Sequence, residues 1–214
     1  MGLFVPVHVA VVFSATEAWI PRDDIRKALK PMRSMRLIQF ISWFPLKERV
    51  LRQYPMIEQI HLRMVRFPEF SMTVIEKKPW AVIMHDNRMQ VCSQDGTLLN
   101  AHLDNIELPN GALMMVTTSM DITEGNRVRD RELEILRTID PVFQALPELM
   151  VQQWVITPHS IECILTDGTV ITVGDAHKLA QKLTTLHYFV GSFRDQLHRV
   201  SAIDIQYDGR VIVH

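Results

Sequence analysis

The segment from Tyr54 to Ala81 constrains the fold of this chain most, because apolar and polar residues alternate along it twice, on either side of a turn. A repeat of two residues is typical of a half-buried strand. The turn is predicted at Phe67-Pro68-Glu69. The inward sides are predicted to be Ile57, Ile60, Leu62 and Met64 in the first strand, and Phe70, Met72, Val74 and Glu76 in the second. The segment is therefore predicted to form a β-hairpin, with Arg66 and Glu76 pairing across it.

One strand and two helices are predicted ahead of the hairpin. The strand is Val7 to Phe13. The first helix begins near Pro21-Arg22-Asp23-Asp24, where proline suits the first turn and the acidic residues favour the positive end of the helix. The second helix begins at Phe44, and Tyr54-Pro55 ends it. The predicted order is therefore strand, helix, helix, strand, strand.

Beyond Pro79 the pattern indicates a second region of mixed content. Helical spacing runs from Asn126 to Leu146, with Pro141 expected to kink or divide the helix, and again from Asp175 to Val190. Short strands lie between and around these segments. Two of the turns between strands are predicted at Asp95-Gly96 and Asp167-Gly168, because Asp-Gly is a strong turn signal.

Length and charge place few limits on function. The 214 residues suffice for one large domain or two small ones. A net charge of -1 implies no general attraction to nucleic acid or anionic lipid, although a local basic patch is left open. Cys92 and Cys163 form no CxxC motif, so two buried thiols and a disulfide both stay open. The apolar N-terminus up to Phe13 is shorter than the ~20 residues of a spanning helix and lacks the basic start of a signal peptide.

No motif in the chain indicates catalysis. The nine histidines form neither HExxH nor HxH, and His85-Asp86 is an isolated dipeptide. The GxSxG, GxxxxGK[ST] and GxGxxG patterns are absent from the sequence. We therefore expect a protein that is not an enzyme, with no cofactor and no metal.

Several motifs, in their order along the chain, resemble the FtsQ/DivIB family of bacterial cell-division proteins. The extracytoplasmic part of this family is a POTRA domain followed by a β-domain. Val65-Arg66-Phe67-Pro68 is similar to the V-R-x-x-P hairpin turn of the family, and Glu76-Lys77-Lys78-Pro79-Trp80-Ala81 to its E-R/K-x-P-x-A exit. In the second half, Asp95-Gly96 is similar to the D-x-x-G turn and the segment from Asp167 to Gly174 to the G-x-x-V-x-L-G hairpin. Ile203 to Tyr207 resembles the I-D-L-R-Y strand, with Gln206 where the family usually has Arg.

The resemblance implies an α+β chain of two domains. Residues 1–77 would form the POTRA domain, with the order β-α-α-β-β, and residues 78–214 a mixed α/β β-domain with a curved antiparallel sheet. The implied function is a non-catalytic scaffold of the divisome that binds FtsB- and FtsL-like coiled-coil proteins and helps to recruit and regulate septal peptidoglycan synthesis. The implied location is the extracytoplasmic face of the bacterial inner membrane at the division site, with one N-terminal anchoring helix outside this chain. The alternative is another POTRA-containing protein, of outer-membrane assembly or secretion.

Two sheet edges are the candidate partner sites. An outer strand presents unpaired N–H and C=O groups, to which a partner can add a strand. The C-terminal candidate edge comprises Tyr207, Arg210, Val211, Ile212 and Val213, and the POTRA candidate edge comprises Gln59, His61, Leu62, Arg63 and Met64. Alternatives stay open for both edges: Val211 and Val213 cap the core, Tyr207 packs on its hairpin, and the POTRA strand is an ordinary half-solvated strand.

Overall fold

The computed structural model describes residues 8–13, 23, 26–27, 43–67, 69–86, 88–99, 114–119, 121–124, 126–193, 200–207 and 209–214. Within them the chain is α+β, as predicted. Its contacts divide it into two compact units, the first ending at Lys78 and the second beginning at Pro79, with Leu99 grouped with the first. Each unit contains its own sheet.

The first unit contains a three-stranded sheet. Its described elements are β1 (His8–Phe13), α1 (Trp43–Gln53), β2 (Ile57–Arg66) and β3 (Glu69–Glu76). The strand order is β1-β3-β2, with β1 parallel and β2 antiparallel to β3. The predicted hairpin is thus confirmed, while Pro68 of its turn lies outside the described residues. Of the first predicted helix, the described residues Asp23, Arg26 and Lys27 are helical.

The two strands of the hairpin differ in how regularly they are buried. Along β3, burial alternates without a break, and Phe70, Met72, Val74 and Glu76 face inward as predicted. In β2, Ile57 and Ile60 are both buried although three positions separate them, because Glu58 is an extra residue in the register and forms a bulge.

The predictions for the far end of β2 need correction. Met64 is 57% exposed rather than inward-facing, because β2 continues beyond the part of the strand that the core covers. The predicted pair between Arg66 and Glu76 is also wrong. The register places Arg66 opposite Glu69, which accepts two hydrogen bonds from its guanidinium at 2.9 and 3.0 Å, whereas Glu76 lies opposite Ile57.

The second unit is built on a nine-stranded sheet with the order β14-β13-β12-β11-β10-β7-β4-β5-β6. The strands are β4 (Ala81–His85), β5 (Arg88–Cys92), β6 (Leu98–Leu99), β7 (Met114–Thr118), β10 (Val151–Ile156), β11 (Ile161–Leu165), β12 (Val170–Gly174), β13 (Ala202–Asp204) and β14 (Ile212–Val213). A separate small hairpin pairs β8 (Thr123–Glu124) with β9 (Arg127–Val128).

The sheet is mixed, so the predicted antiparallel sheet is wrong. Strand β7 runs parallel to both β4 and β10, and β12 runs parallel to β13. Along the chain, helix α2 (Asp130–Ala145) follows β7 and precedes β10, and helix α3 (Leu179–Phe193) follows β12 and precedes β13. A helix that returns the chain to the starting end of a sheet makes the strands it joins parallel. Pro141 lies within α2, which continues to Ala145, so of the two expected effects, a kink or a division, the helix is not divided there.

The core of the second unit lies between the sheet and its two long helices. Helix α2 buries Leu133, Leu136 and Ile139, and α3 buries Leu183 and Leu186. Trp154 on β10 is 1% exposed and is among the largest fully buried side chains of the described chain. No hydrogen-bond partner is found for its indole Nε1 among the described residues. No helix in the described ranges is long and apolar enough to cross a bilayer.

The two cysteines are free and buried, which answers the question left open by the sequence. Cys92 lies on β5 and Cys163 on β11, with 0% and 1% of their surfaces exposed. Burial raises the pKa of both thiols to about 12. They therefore remain protonated thiols at neutral pH, with little nucleophilic character.

A buried lysine ties the start of α3 to the end of β12. The Nζ of Lys182 donates hydrogen bonds to the carboxylate of Asp175 at 2.8 Å and to the carbonyl of Asp175 at 3.1 Å. The Lys182 side chain is only 4% exposed, whereas that of Asp175 is 66% exposed. The hydrogen bond from Lys182 holds the pKa of Asp175 below its ordinary value.

This pair predicts a stability that depends on pH. A carboxylate whose pKa is lowered by folding stabilises the fold above its unfolded pKa of ~3.9, and this stabilisation is lost as the pH falls through the folded pKa. We therefore expect the difference in unfolding free energy between the wild type and Lys182→Met to shrink as the pH is lowered from neutral to below ~3.9. Urea unfolding followed by circular dichroism at several pH values measures it.

Asp175→Asn serves as the matched variant, since it keeps the side-chain carbonyl but removes the charge. In that background, Lys182→Met is expected to show a pH-independent effect. A difference between the wild type and Lys182→Met that stays constant across the acid range would contradict the role assigned to this pair.

Candidate protein-interaction edges

The C-terminal candidate edge lies at the outside of the nine-stranded sheet. Strand β14 pairs with β13 on one side, through Val213 opposite Ile203 and Ile212 opposite Asp204. In the described part of the chain, no strand pairs with β14 on its other side. The sequence therefore identified the right element as an edge.

The direction of the β14 backbone follows from its hydrogen bonds. The N–H of His214 donates to the carbonyl of Ala202 at 3.0 Å, and the N–H of Ala202 donates back at 3.3 Å. In an antiparallel pair, hydrogen-bonded and non-hydrogen-bonded positions alternate. Val213, one position earlier, therefore directs its N–H and C=O away from β13, toward the open side of the sheet.

The side chains of the C-terminal edge divide into one half-buried and four exposed residues. Val211 is half-buried and packs against the core, which agrees with the capping alternative for this residue. The exposed residues are Tyr207 at 55%, Ile212 at 39%, Val213 at 42%, and Arg210. The edge thus combines an outward-facing backbone with apolar and aromatic side chains that are accessible to a partner.

A short turn positions Tyr207 beside β14. The N–H of Arg210 donates to the carbonyl of Tyr207 at 3.2 Å, which closes the turn. Just before it, the Asp204 carboxylate accepts the backbone N–H of Gln206 at 2.9 Å and the side-chain amide of Gln206 at 2.6 Å. These bonds fix the backbone that leads into Tyr207.

The POTRA candidate edge is also an outer strand. Strand β2 lies at one end of the first sheet and pairs only with β3 among the described strands. On it, Gln59, His61, Arg63 and Met64 are exposed and Leu62 is half-buried. The bulges at Glu58 and Val65 interrupt its register, and bulges of this kind limit how far a second strand can pair along an edge.

A polar pocket that the sequence did not predict lies beside the β4–β5 turn. It has a volume of about 370 Å³ and is lined by residues that include His85, Asp86, Arg88 and Asp121. The ring Nδ1 of His85 is 3.2 Å from the carbonyl oxygen of Thr118. The Nε2 of His85 is 3.3 Å from the Asp86 carboxylate.

The chemistry of this pocket is limited by the contacts of its own groups. The carboxylate of Asp121 accepts the hydroxyl of Thr123 at 2.7 Å and its backbone N–H at 3.0 Å, and these bonds lower the pKa of Asp121. Across the described residues, no three His, Cys, Asp or Glu side chains are placed to hold a metal ion. Only His85-Asp86 was visible in the sequence, because Asp121 and Thr123 come from a distant segment.

Comparisons with known proteins do not place the chain in a family: no family model matches it, and no curated protein matches its sequence.

Proposed function

We propose that this chain is a non-catalytic scaffold of the FtsQ/DivIB kind, acting at the extracytoplasmic face of the bacterial inner membrane during division. In this proposal it binds FtsB- and FtsL-like coiled-coil partners and through them helps to recruit and regulate septal peptidoglycan synthesis. Part of the binding occurs by addition of a partner strand to β14. The observation that carries the proposal is the outward-facing backbone of Val213 beside the exposed side chains of Tyr207 and Ile212.

The architecture of the first unit supports the same proposal. Its described elements follow the order strand, helix, helix, strand, strand, where the helical residues Asp23, Arg26 and Lys27 are taken as the first helix and α1 as the second. This is the order expected for a POTRA domain. The second unit, with a strand edge at β14, is then the counterpart of the β-domain.

The proposal predicts a selective effect of proline on partner binding. Val213→Pro removes an N–H that points away from β13, so the pairing of β13 with β14 is retained. A partner strand would lose one main-chain hydrogen bond, which corresponds to about a tenfold weaker affinity. We expect this loss in biolayer interferometry of the 214-residue chain against the FtsB- and FtsL-like segments encoded in the same genome, with an unchanged melting temperature.

A pair of tyrosines provides the matched control. Tyr207→Ala is expected to weaken binding by roughly thirtyfold, as for an aromatic anchor at an interface. Tyr188 on α3 is 71% exposed, and Tyr188→Ala is expected to leave binding unchanged. Wild-type binding by Val213→Pro would refute strand addition at β14, and failure of the wild-type chain to bind either segment would refute the scaffold function itself.

A further inference from the structure

The far end of the β2–β3 hairpin carries three large apolar side chains in contact with solvent. Met64, Val65 and Phe67, here called the apolar tip, are 57%, 64% and 56% exposed. They lie within four consecutive positions, next to the turn. Isolated apolar residues on a surface are ordinary, but three large exposed ones within four positions of the sequence make this end a candidate interaction site.

At this end strand β2 is exposed, whereas its neighbour β3 is not, since Phe70 opposite Met64 is only 8% exposed. All five residues from Arg63 to Phe67 are exposed, whereas successive side chains of a strand point to opposite faces. A single covered face would leave alternate residues buried, as it does along β3. The apolar tip therefore lies on a part of β2 and its turn that is exposed on both faces.

Basic residues flank the apolar tip. Arg63 and Arg66 are both exposed, and the Arg66 side chain has 78% of its surface accessible. Glu69 accepts two hydrogen bonds from Arg66 and offsets one of the two positive charges. The end of the hairpin is thus apolar with a net positive charge, which favours an anionic surface.

We propose that the apolar tip inserts into the interfacial layer of a lipid bilayer, with Arg63 and Arg66 at anionic headgroups. Binding of this kind grows with the apolar area buried and with attraction to anionic lipid. A protein partner is the weaker fit, because a specific interface needs about 800 Å² on each side and the apolar tip offers three residues. A bilayer needs no such area, since the insertion of a few apolar side chains adds to the attraction of the arginines for anionic headgroups. This proposal does not depend on the scaffold function, and it uses side chains at the hairpin end rather than the backbone edge of β2.

The buried native thiols allow a direct test with a single fluorescent label. Because Cys92 and Cys163 are buried and protonated, Phe67→Cys can be labelled selectively with an environment-sensitive maleimide dye. The wild type, treated in the same way, reports any labelling of the native thiols. The matched control is Tyr188→Cys, at an exposed aromatic position on α3.

The labelled chain is titrated with vesicles of phosphatidylcholine alone and of phosphatidylcholine mixed with phosphatidylglycerol. We expect the emission of the Phe67→Cys label to shift to shorter wavelength with the anionic vesicles, and the Tyr188→Cys label to stay unchanged. In vesicle co-sedimentation of the unlabelled chain, Phe67→Ser is expected to lower partitioning about tenfold. Arg63→Gln is expected to lower it about fivefold.

Three results would overturn the proposal. The first is the absence of any vesicle-dependent shift, and the second is an equal shift at both label positions. The third is a shift that depends on protein concentration and not on lipid, which would assign the apolar tip to contact between copies of the chain. Because Phe67 and Arg63 are exposed, their substitution is expected to leave the fold intact, and circular dichroism verifies that the variants are folded.

Discussion

Trp154→Ala is expected to lower the free energy of unfolding of the second unit by about 3–5 kcal/mol. The indole lies at the middle of the sheet, where β10 pairs with β7 through Val116 and with β11 through Cys163. Truncation removes a fully buried side chain and leaves a cavity between strands and helices that are fixed by their own packing. Since domains are stable by only about 5–15 kcal/mol, this loss would be a large fraction of the stability of the unit.

Trp154→Phe separates the two contributions of the indole. Phenylalanine keeps most of the apolar volume and removes the Nε1–H, for which the described residues supply no hydrogen-bond partner. An unsatisfied buried donor costs about 1–3 kcal/mol, and its removal offsets the small cavity. We expect a net change of about 1 kcal/mol or less, measured by urea unfolding followed by circular dichroism. If phenylalanine were as damaging as alanine, the volume of the ring would not be the source of stability.

Gly174→Ala is expected to destabilise the second unit by about 2–4 kcal/mol. Gly174 ends β12 with φ +79°, a conformation that costs an L-residue about 1–2 kcal/mol. A Cβ atom there would also lie 2.8 Å from the Cβ of Gln206. This atom is attached directly to the backbone, so a change of side-chain rotamer cannot remove the clash. Gln206 immediately precedes Tyr207, so the same substitution is expected to weaken partner binding at the C-terminal edge.

Gly168→Ala is the matched control for this prediction. Gly168 has a similar φ of +89°, but a Cβ atom there would meet no atom within 4 Å. The control is expected to lose only the backbone part, about 1–2 kcal/mol, and to bind the partner normally. Thermal unfolding of both variants together with the binding assay makes the comparison. Equal losses in both would show that contact with Gln206 has no energetic consequence.

Local pattern predicted some strands well and failed where tertiary context decided. The alternation along β3 gave its inward residues correctly, because this central strand is covered along its whole length. The same reasoning failed for Met64, since sequence alternation does not show where the core ends. The bulge at Glu58 left no local signal, whereas the bulge at Val65 coincides with the adjacent apolar pair Met64-Val65, which departs from alternation.

Strand direction in the large sheet was beyond the reach of the sequence. Asp-Gly turns identify antiparallel neighbours such as β11 and β12, which join directly. The parallel partners β7 and β10 are separated by α2 and the parallel partners β12 and β13 by α3, and nothing in the short strands β7 and β10 specifies which strand lies beside them. The antiparallel sheet came from the family resemblance, and it missed the parallel pairings that α2 and α3 create.

The candidate site was predicted in position but not in detail. The closing pair of strands around Gly209 was visible as alternation with a turn, and its location at an edge agreed with the structure. Which backbone groups of β14 point to the open side of the sheet depends on which residues form hydrogen-bonded pairs with β13. The bonds between His214 and Ala202 identify one such pair, and the sequence does not reveal it. The pocket at His85 was missed because it is assembled from segments that are distant in sequence.

The position of β7 has a consequence for how the large sheet is assembled. Strand β7 alone joins β4, β5 and β6 to the five strands from β10 to β14, and both of its pairings are parallel. During synthesis the chain emerges from its N-terminal end, so β4 is complete before its neighbour β7 exists, and β7 is complete before β10. Strand β4 therefore lacks one neighbour until β7 is made, and β7 lacks one neighbour until β10 is made, so that each strand in turn presents an open edge to wrong partners. While α2 is being made, the side of β7 that later pairs with β10 is the open one.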